Sequence, residues 1–195
     1  MLTSFTFSSL PMTPWKNGGG TTREILCVPS PDPDAPFLWR ASIATLQSDG
    51  PFSQFTGIDR VIMLLEGEPL WLRGDGINHQ LRHQQPWAFP GEWALRSEGI
   101  TAPGLDFNFM TQRSRASASV SVVSDQQLPG SEGIAWVLQG RWQLAGARYD
   151  ARSGIGWQGE SPGIMTPDSA DALLLLAQIT RHPSEIGRVN DVKRG

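Results

Sequence analysis

The sequence MLLEG at Met63–Gly67, followed by LWL at Leu70–Leu72, carries the pattern that decides the predicted fold. An apolar run that ends at a glycine turn and continues in a short second run is typical of two paired strands. A similar pair follows in the second half of the chain, with WVLQG at Trp136–Gly140 and WQL at Trp142–Leu144. This recurrence predicts two copies of one β unit in tandem.

Two further matches occur in the same order in both halves. Gly91-Glu92 matches Gly159-Glu160, and the run Leu105–Met110 matches Leu174–Ile179. We therefore predict a first unit at residues 1–115 and a second at 116–195. The break between them is expected near Arg115–Ser121.

Short strands separated by glycine and proline turns are predicted along the chain, and no window has the periodicity of a helix. The strands predicted in the first half are Leu2–Phe7, Thr22–Val28, Trp39–Leu46, Val61–Leu65, Leu70–Arg73, Trp87–Phe89, Trp93–Ser97 and Leu105–Thr111. This pattern predicts an all-β protein of two tandem antiparallel β-barrel units. The tail Arg188–Gly195 is polar, and we expect it to be frayed.

Composition excludes several classes of function. The net charge is −3 over 195 residues, and the basic residues are not clustered, which argues against nucleic acid or an anionic membrane as partner. Cys27 is the single cysteine, which favours a reducing, cytoplasmic location. The N-terminus lacks the basic region of a signal peptide, and the longest apolar run, Ala172–Ala177, is too short to span a membrane.

The last strand of the first half differs from its match in the second half. Alternation places Asp106, Asn108 and Met110 on one face of this strand, whereas Leu173–Ala177 is apolar on both faces. An unpaired buried polar group costs roughly 1–3 kcal/mol, so a barrel interior containing Asp and Asn needs a polar partner. We therefore predict a polar pocket in the first unit and a packed interior in the second.

A glycine-rich loop, PWKNGGGTTREI, occupies Pro14–Ile25. A phosphate-binding Walker loop is rejected because Lys16 precedes the glycines and no Gly-Lys-Ser/Thr follows. We expect the loop to act as a lid that brings Trp15, Lys16 and Asn17 over the mouth of the first barrel. Residues 23 and 24 then point to opposite sides of a strand, so at most one of them faces the pocket.

Arginines accompany the polar residues of the first half, and the planar guanidinium binds carboxylates with two hydrogen bonds. Although a strand arginine is usually a surface residue, several beside Asp, Asn and Glu favour a pocket for a small carboxylate. The predicted ligand-binding residues are Trp15, Lys16, Asn17, Thr22, Arg23, Glu24, Arg40, Arg60, Asp106, Asn108 and Arg113.

Metal and nucleophile chemistry receive little support from the sequence. His79 and His83 have a ligand-like spacing, but Arg82 lies between them, so we favour a half-exposed pair over metal ligands. Cys27 is expected to be a small buried residue, and the sequence has no Gly-x-Ser-x-Gly motif. We predict no metal, no cofactor and no catalytic residue.

The motifs together resemble those of the HutD/Ves family. The matching segments are Pro14–Gly20, Thr22–Glu24, Trp39–Ala44, Asp49–Ser53, Gly57–Arg60, Leu64–Gly67, Asp106–Asn108, Met110-Thr111 and Arg113. The resemblance covers essentially the whole chain, with specific motifs in the first half and weak ones in the second.

This resemblance implies a bicupin fold, in which two double-stranded β-helix units pack together. Metal-binding cupins carry a His-x-His…Glu set and a later histidine, but Phe52–Phe55 has no histidine and Trp93 stands near the later position. HutD-like members are associated with regulation of histidine utilisation, and Ves-like members with environmental stress. The form with Lys16 and three glycines is closer to HutD, but the sequence leaves the branch open.

Three functions remain open at this point. The first is a metal-independent protein that regulates histidine utilisation by binding a carboxylate intermediate such as urocanate or N-formylglutamate; it could act as a homodimer. The second is an enzyme with Glu24 or Asp106 as base and an Arg or Lys16 on the substrate carboxylate. The third is a partner-binding module with a vestigial pocket.

Overall fold

The computed structural model describes residues 1–183, and its regular structure is almost entirely β. The strands of the first half are β1 (Leu2–Thr6), β2 (Met12–Pro14), β3 (Gly20–Val28), β4 (Trp39–Leu46), β5 (Gly50–Pro51), β6 (Ile58–Glu66), β7 (Leu70–Gly74), β8 (Ile77–Leu81), β9 (Trp87–Pro90), β10 (Arg96–Glu98) and β11 (Gly104–Gln112). Those of the second half are β12 (Ala116–Val123), β13 (Gly133–Gln139), β14 (Arg141–Leu144), β15 (Ala147–Asp150), β16 (Ser153–Trp157), β17 (Thr166–Pro167) and β18 (Leu173–Arg181).

The prediction of an all-β chain is confirmed. Each strand predicted in the first half overlaps an observed one, whereas β2, β5 and β8 were not predicted because they are short or polar. Within residues 1–183 the helical structure is the three-residue 3-10 helix Phe7–Ser9, and no helix in that range is long and apolar enough to cross a membrane. The tail Arg188–Gly195, which we expected to be frayed, lies outside the described residues.

The same strand order occurs in both halves. The first half contains a six-stranded sheet, β2-β3-β4-β11-β6-β9, and a four-stranded sheet, β5-β10-β7-β8. The second half contributes β16-β13-β18-β12 to a five-stranded sheet and forms the three-stranded sheet β15-β14-β17. The order β4-β11-β6-β9 therefore corresponds to β12-β18-β13-β16, and β10-β7-β8 corresponds to β17-β14-β15.

The strand register corrects one detail of the predicted repeat. Asp106 lies opposite Leu64, and Leu174 lies opposite Val137, the residue that matches Leu64 in the aligned motifs. Asp106 therefore corresponds to Leu174, so the match predicted from the sequence was displaced by one residue. The reason is that a run of consecutive leucines, Leu173–Leu176, has no unique alignment with the first half.

Strand β1 crosses from its own half into the other. It pairs with β16, from Leu2 opposite Trp157 to Thr6 opposite Ser153. The N-terminal strand thus belongs to a sheet of the second half. Strand β12 begins inside the segment Arg115–Ser121, where we expected the break, and the turn that precedes it lies at residues 113–115.

A shared apolar core joins the halves. Phe107 and Phe109 of β11 lie in one buried cluster with Leu175 and Ala177 of β18. The Trp39 indole adds a polar link across this core, where its Nε1 donates to Glu132 Oε2 at 3.0 Å. Because β11 turns its phenylalanines toward this core, its alternate residues must face the interior of the first half.

Candidate functional site

A cavity of about 450 Å³ opens into the first half. Its walls come from β3, β4, β6 and β11 and from the two loops at residues 14–17 and 51–55. The lining residues are Pro14, Trp15, Lys16, Asn17, Thr22, Arg40, Ser42, Ala44, Pro51, Phe52, Ser53, Phe55, Arg60, Asp106, Asn108 and Met110. This volume is in the range of small-molecule sites.

Strand register brings the polar residues of three strands together on the cavity floor. Asn108 of β11 lies opposite Ser42 of β4, and Met110 lies opposite both Arg40 of β4 and Arg60 of β6. Since residues opposite one another in a sheet point to the same face, these side chains all enter the cavity. The alternation predicted for β11 is therefore observed.

A buried hydrogen-bonded chain runs across this floor. The Arg60 side chain donates from Nη2 to Asn108 Oδ1 at 2.8 Å and from Nη1 to the Ser53 carbonyl at 3.1 Å. The Asn108 amide in turn donates to Asp106 Oδ1. Arg60 is 6% exposed and Asp106 is 1% exposed, so both ends of this chain are removed from water.

Two polar atoms of this chain have no hydrogen-bond partner within residues 1–183. They are Arg60 Nε and Asp106 Oδ2, and both are buried. A buried group without a partner costs roughly 1–3 kcal/mol, so native proteins usually pair such groups. Because both side chains line the cavity, its floor holds one donor and one oxygen whose hydrogen-bonding capacity is unused.

Burial shifts the pKa of both ionisable groups. Desolvation raises the pKa of Asp106 to about 7, against the opposing effects of the Arg60 charge and the Asn108 hydrogen bond. Desolvation lowers the pKa of Arg60 to about 10, and the Asp106 charge partly offsets that decrease. Arg60 is thus a cation at neutral pH, while the Asp106 carboxyl is partly protonated and able to donate a hydrogen bond.

Aromatic rings enclose the Arg60 guanidinium. Its Cζ lies 5.7 Å from the ring centre of Phe52, 5.6 Å from that of Phe55 and 5.1 Å from that of Phe89. These distances permit cation–π attraction, which compensates part of the cost of burying the charge. The rings also hold the guanidinium in a fixed position beneath the cavity.

The glycine loop closes on itself at the cavity mouth. Trp15 N donates to the Gly20 carbonyl at 2.9 Å, and its indole Nε1 donates to Thr22 Oγ1 at 2.8 Å. Gly20 has no room for a side chain, because a Cβ there would overlap the carbonyl oxygen of Thr45. The loop is therefore a tight turn that holds Trp15, Lys16 and Asn17 against the opening.

The Arg40 side chain forms an ion pair at the cavity edge. Its Nε lies 2.8 Å from Glu24 Oε1, and Glu24 itself does not line the cavity. This is the side chain's one hydrogen bond within the described part of the chain, so the terminal nitrogens of Arg40 have donors to spare. Glu24 therefore acts on the site by orienting Arg40.

Two of the predicted arginines lie away from the cavity. Arg23 donates to the Leu10 carbonyl at 2.6 Å and stacks over Phe7, on the opposite side of β3 from Glu24. Arg113 pairs with Asp59 at 2.7 Å and with Glu92 at 2.8 Å, and its hydrogen bond lowers the pKa of Glu92 to about 2. Eight of the eleven predicted site residues line the cavity, and Arg23, Glu24 and Arg113 do not.

The histidines and the cysteine take no part in this cavity. The ring of His79 stacks on Trp87 with centres 4.1 Å apart, and His83 Nε2 contacts the Leu65 carbonyl. Within residues 1–183 no group of three or more His, Cys, Asp or Glu is placed to hold a metal ion. Cys27 is exposed, so the prediction that it is buried was wrong.

Several lining residues were not predicted as ligand contacts. Ser42 and Met110 could have been identified from alternation, because Ser42 shares a face of β4 with Arg40 and Met110 shares a face of β11 with its polar neighbours. Phe52, Ser53 and Phe55 enter from a loop, and alternation gives no information about where a loop side chain points. The proline and glycine that precede this loop predicted only a turn.

The two halves and the cavity define the class of protein. The chain is similar to a Cupin 2 conserved barrel domain protein from Leptotrichia buccalis, with a TM-score of 0.58 and 9% identity over 91% of this chain and 96% of that one. At this identity the similarity shows the fold alone. The protein is therefore an all-β, cupin-like protein with a polar cavity in its first half.

Sequence comparison then gives the family. A family model described as HutD matches residues 8–161. Protein Ves from Cronobacter sakazakii is 39% identical over 180 residues, which cover 90% of this chain and 97% of that protein. The chain therefore belongs to the HutD/Ves family, as its motifs predicted.

A solved structure of the same family agrees with this assignment. HutD from Pseudomonas fluorescens matches with a TM-score of 0.79 and 26% identity, over 94% of this chain and 100% of that one. Of these two relatives, the Ves protein is the more similar in sequence, although the glycine loop alone favoured the HutD branch.

Proposed function

We propose that this protein binds a small organic carboxylate in the cavity of its first half, without a metal ion. The observation that carries the proposal is the buried chain of Arg60, Asn108 and Asp106, which leaves Arg60 Nε and Asp106 Oδ2 without partners within residues 1–183. A ligand that supplied an acceptor and a second polar group would satisfy both atoms.

The charges around the cavity favour an anion. Lys16, Arg40 and Arg60 line it, and Asp106 is the single carboxylate among the lining residues. Because the pKa of Asp106 is about 7, binding of an anion can proceed with that carboxyl protonated. A ligand carboxylate would then meet Arg40 or Lys16 near the mouth, while a deeper acceptor would meet Asp106.

The remaining wall suits a compact, partly apolar ligand. Trp15, Phe52 and Phe55 supply aromatic surface beside the polar floor. A few fixed polar groups among apolar walls is the usual composition of a small-molecule site. Urocanate and N-formylglutamate, which combine carboxylates with further polar groups, fit this description.

We propose that the protein regulates histidine utilisation in the cytoplasm by binding such an intermediate, as the name HutD of the family model suggests. We also propose that the repeated strand order corresponds to two cupin units in tandem, with residues 1–115 carrying the site.

Thermal unfolding with a panel of carboxylates in the presence of a chelator tests the binding proposal. A ligand at 100 times its dissociation constant stabilises the folded state by roughly 2.7 kcal/mol. Arg40→Ala should abolish the response, because Arg40 lines the cavity. Arg113→Ala is the matched control and should respond like the original protein, since Arg113 lies outside the cavity.

Two results would contradict the proposal. One is a panel, including urocanate and N-formylglutamate, that leaves the unfolding midpoint unchanged. The other is a ligand whose effect survives Arg40→Ala but is lost in Arg113→Ala, which would place the site elsewhere.

The position of Asp106 also supports a second function, acid–base catalysis on a bound carboxylate. A carboxyl group with a pKa near 7 in a cavity has the properties of a general acid or base. Glu24 is less suited to this role, because it is paired with Arg40 outside the lining. If the protein is an enzyme, NMR should detect turnover of a panel compound, and Asp106→Asn should abolish that turnover while retaining binding.

A further inference from the structure

Strand β12 has an open outer edge. It pairs with β18 along its whole length, from Ala116 opposite Arg181 to Val123 opposite Leu174. On its other side no strand pairs with it within residues 1–183. In the first half the corresponding strand is β4, and its outer edge is covered by β3. The second half therefore lacks, in the described range, the covering strand that the first half has.

The hydrogen bonds of β12 show which of its backbone groups face outward. His182 N donates to the Arg115 carbonyl, which places the odd-numbered residues in the hydrogen-bonded pairs with β18. The even-numbered residues Ala116, Ala118, Val120 and Val122 must then direct their N–H and C=O groups away from the sheet. These groups form the open edge.

No residue of β12 is of a type that protects this edge from pairing with another strand. Its sequence, ASASVSVV, contains no charge, no proline and no glycine. Exposed edge strands are usually protected by lysine, proline or a bulge, because an unprotected edge pairs with other strands. Ala118, Val120 and Val122 are half-buried against the shared core, and the serines between them are exposed.

We propose that two copies of this protein pair through their β12 edges, antiparallel about a two-fold axis at Val120. Across such an edge, an even-numbered residue of one copy pairs with an even-numbered residue of the other, so the numbers of two paired residues always add up to an even sum. The residue at half of that sum faces itself, and the two-fold axis passes through it. With the axis at Val120, Val120 of one copy faces Val120 of the second copy. Ala118 then faces Val122 of the second copy, and Ser119 faces its Ser121. The central part of the strand is thus complementary to itself.

Charge complementarity just beyond the two ends of β12 favours this register. When the register is continued past the strand ends, the axis at Val120 is the one among residues 118 to 122 that brings Arg115 of each copy opposite Asp125 of the other. Neither residue forms an ion pair within residues 1–183. Opposite charges that face each other across two strands stabilise their pairing. A two-fold arrangement is also the commonest among homo-oligomers.

The first test is the oligomeric state of the full chain. Sedimentation velocity over a concentration series should show a species of about twice the 21.3 kDa chain mass. Val120→Lys should be a monomer, because it places two like charges at the axis. Leu128→Lys is the matched control and should remain a dimer, because Leu128 is 74% exposed and lies outside β12.

The second test is the register, measured by disulfide formation in a Cys27→Ser background. Val120→Cys should cross-link on oxidation, because directly opposed residues of a hydrogen-bonded pair have Cα atoms about 5.5 Å apart. Ala118→Cys alone should not, since its two copies would lie about 14 Å apart. A mixture of Ala118→Cys and Val122→Cys proteins should cross-link.

The third test is a charge exchange at the ends of the strand. Arg115→Glu should weaken the dimer at least several-fold, because it places two acidic residues opposite each other at both ends. Adding Asp125→Arg to the same chain should restore the dimer, because the opposite charges then face each other again.

Three results would overturn the proposal. They are a monomer over the whole concentration series, a dimer that survives Val120→Lys, and a cross-link from Ala118→Cys alone in place of one from Val120→Cys. Circular dichroism of each variant should match the original protein, so that loss of the dimer is not loss of the fold.

Discussion

Arg60 in the first half and Gly133 in the second occupy corresponding places in the repeat, but different groups fill the space at the two positions. Arg60 on β6 lies opposite Phe89, and Gly133 on β13 lies opposite Trp157. A Cβ at Gly133 would overlap the Ala177 carbonyl and would lie 2.9 Å from the Trp157 ring. The second half thus fills with an indole the space that the first half gives to a guanidinium.

The two central strands show the same contrast. Asp106 and Asn108 of β11 correspond to Leu174 and Leu176 of β18, which are fully or almost fully buried in an apolar cluster with Trp142. The repeated strand order therefore does not require a cavity. A cavity exists where the inward residues are polar and hydrogen-bonded to one another, and a packed core exists where they are apolar. The following variants test this contrast.

The largest effect on stability is expected when arginine, the residue that the first half has at this place, replaces Gly133 in the second half. Gly133→Arg should lower the free energy of unfolding by about 5 kcal/mol or more, because it overlaps the Ala177 carbonyl and buries a charge without a partner. Chemical denaturation measures this change. Gly130→Ala is the control and should change stability by less than about 0.5 kcal/mol, since a Cβ there meets only Gln178, at 3.8 Å.

A titration effect of up to about 4 kcal/mol is expected from Asp106 in the first half. The pKa of Asp106 is about 7 in the folded state, against 3.8 as its ordinary value. The folded state therefore holds the proton more tightly, and the contribution of this group to stability falls as pH rises through that window. Asp106→Asn should remove this decrease. Denaturation of both proteins from about pH 4 to 8 measures the difference, and parallel curves would contradict the shift.

A smaller loss is expected when the buried chain is broken at one end. Arg60→Met should destabilise the protein by about 3 kcal/mol, because it leaves Asp106 without its cation. Replacing all three residues, by Arg60→Met, Asp106→Leu and Asn108→Leu, should restore the original stability or exceed it, since the first half then resembles the second. A triple variant less stable than the single one would show that the polar chain stabilises the fold.

Strand alternation accounts for most of what the sequence predicted. It assigned Asp106, Asn108 and Met110 to one face of β11 and separated Arg23 from Glu24, because period two is fixed by backbone geometry. It left open which of the two charged residues faced the site, since the choice depends on the packing of Phe7 against Arg23. In the structure Glu24 reaches only the cavity edge, through Arg40.

Other features depend on contacts between distant parts of the chain. The sequence did not show that Phe52 and Phe55 would enclose Arg60, because both come from a loop. Nor did it show that Arg113 would instead pair with Glu92, since a strand-end arginine has many acidic partners within reach. The crossing of β1 into the second-half sheet likewise rests on long-range pairing with β16.

An NMR titration of the ¹⁵N-labelled protein with the best carboxylate of the panel tests whether the first half carries the site. We predict that the Arg60 Nε–H and Trp15 indole N–H signals shift, because both residues line the cavity. The indole N–H signals of Trp142 and Trp157, in the packed second half, should stay in place. Shifts confined to Trp142 or Trp157, with Arg60 and Trp15 unchanged, would contradict the assignment of the site to the first half.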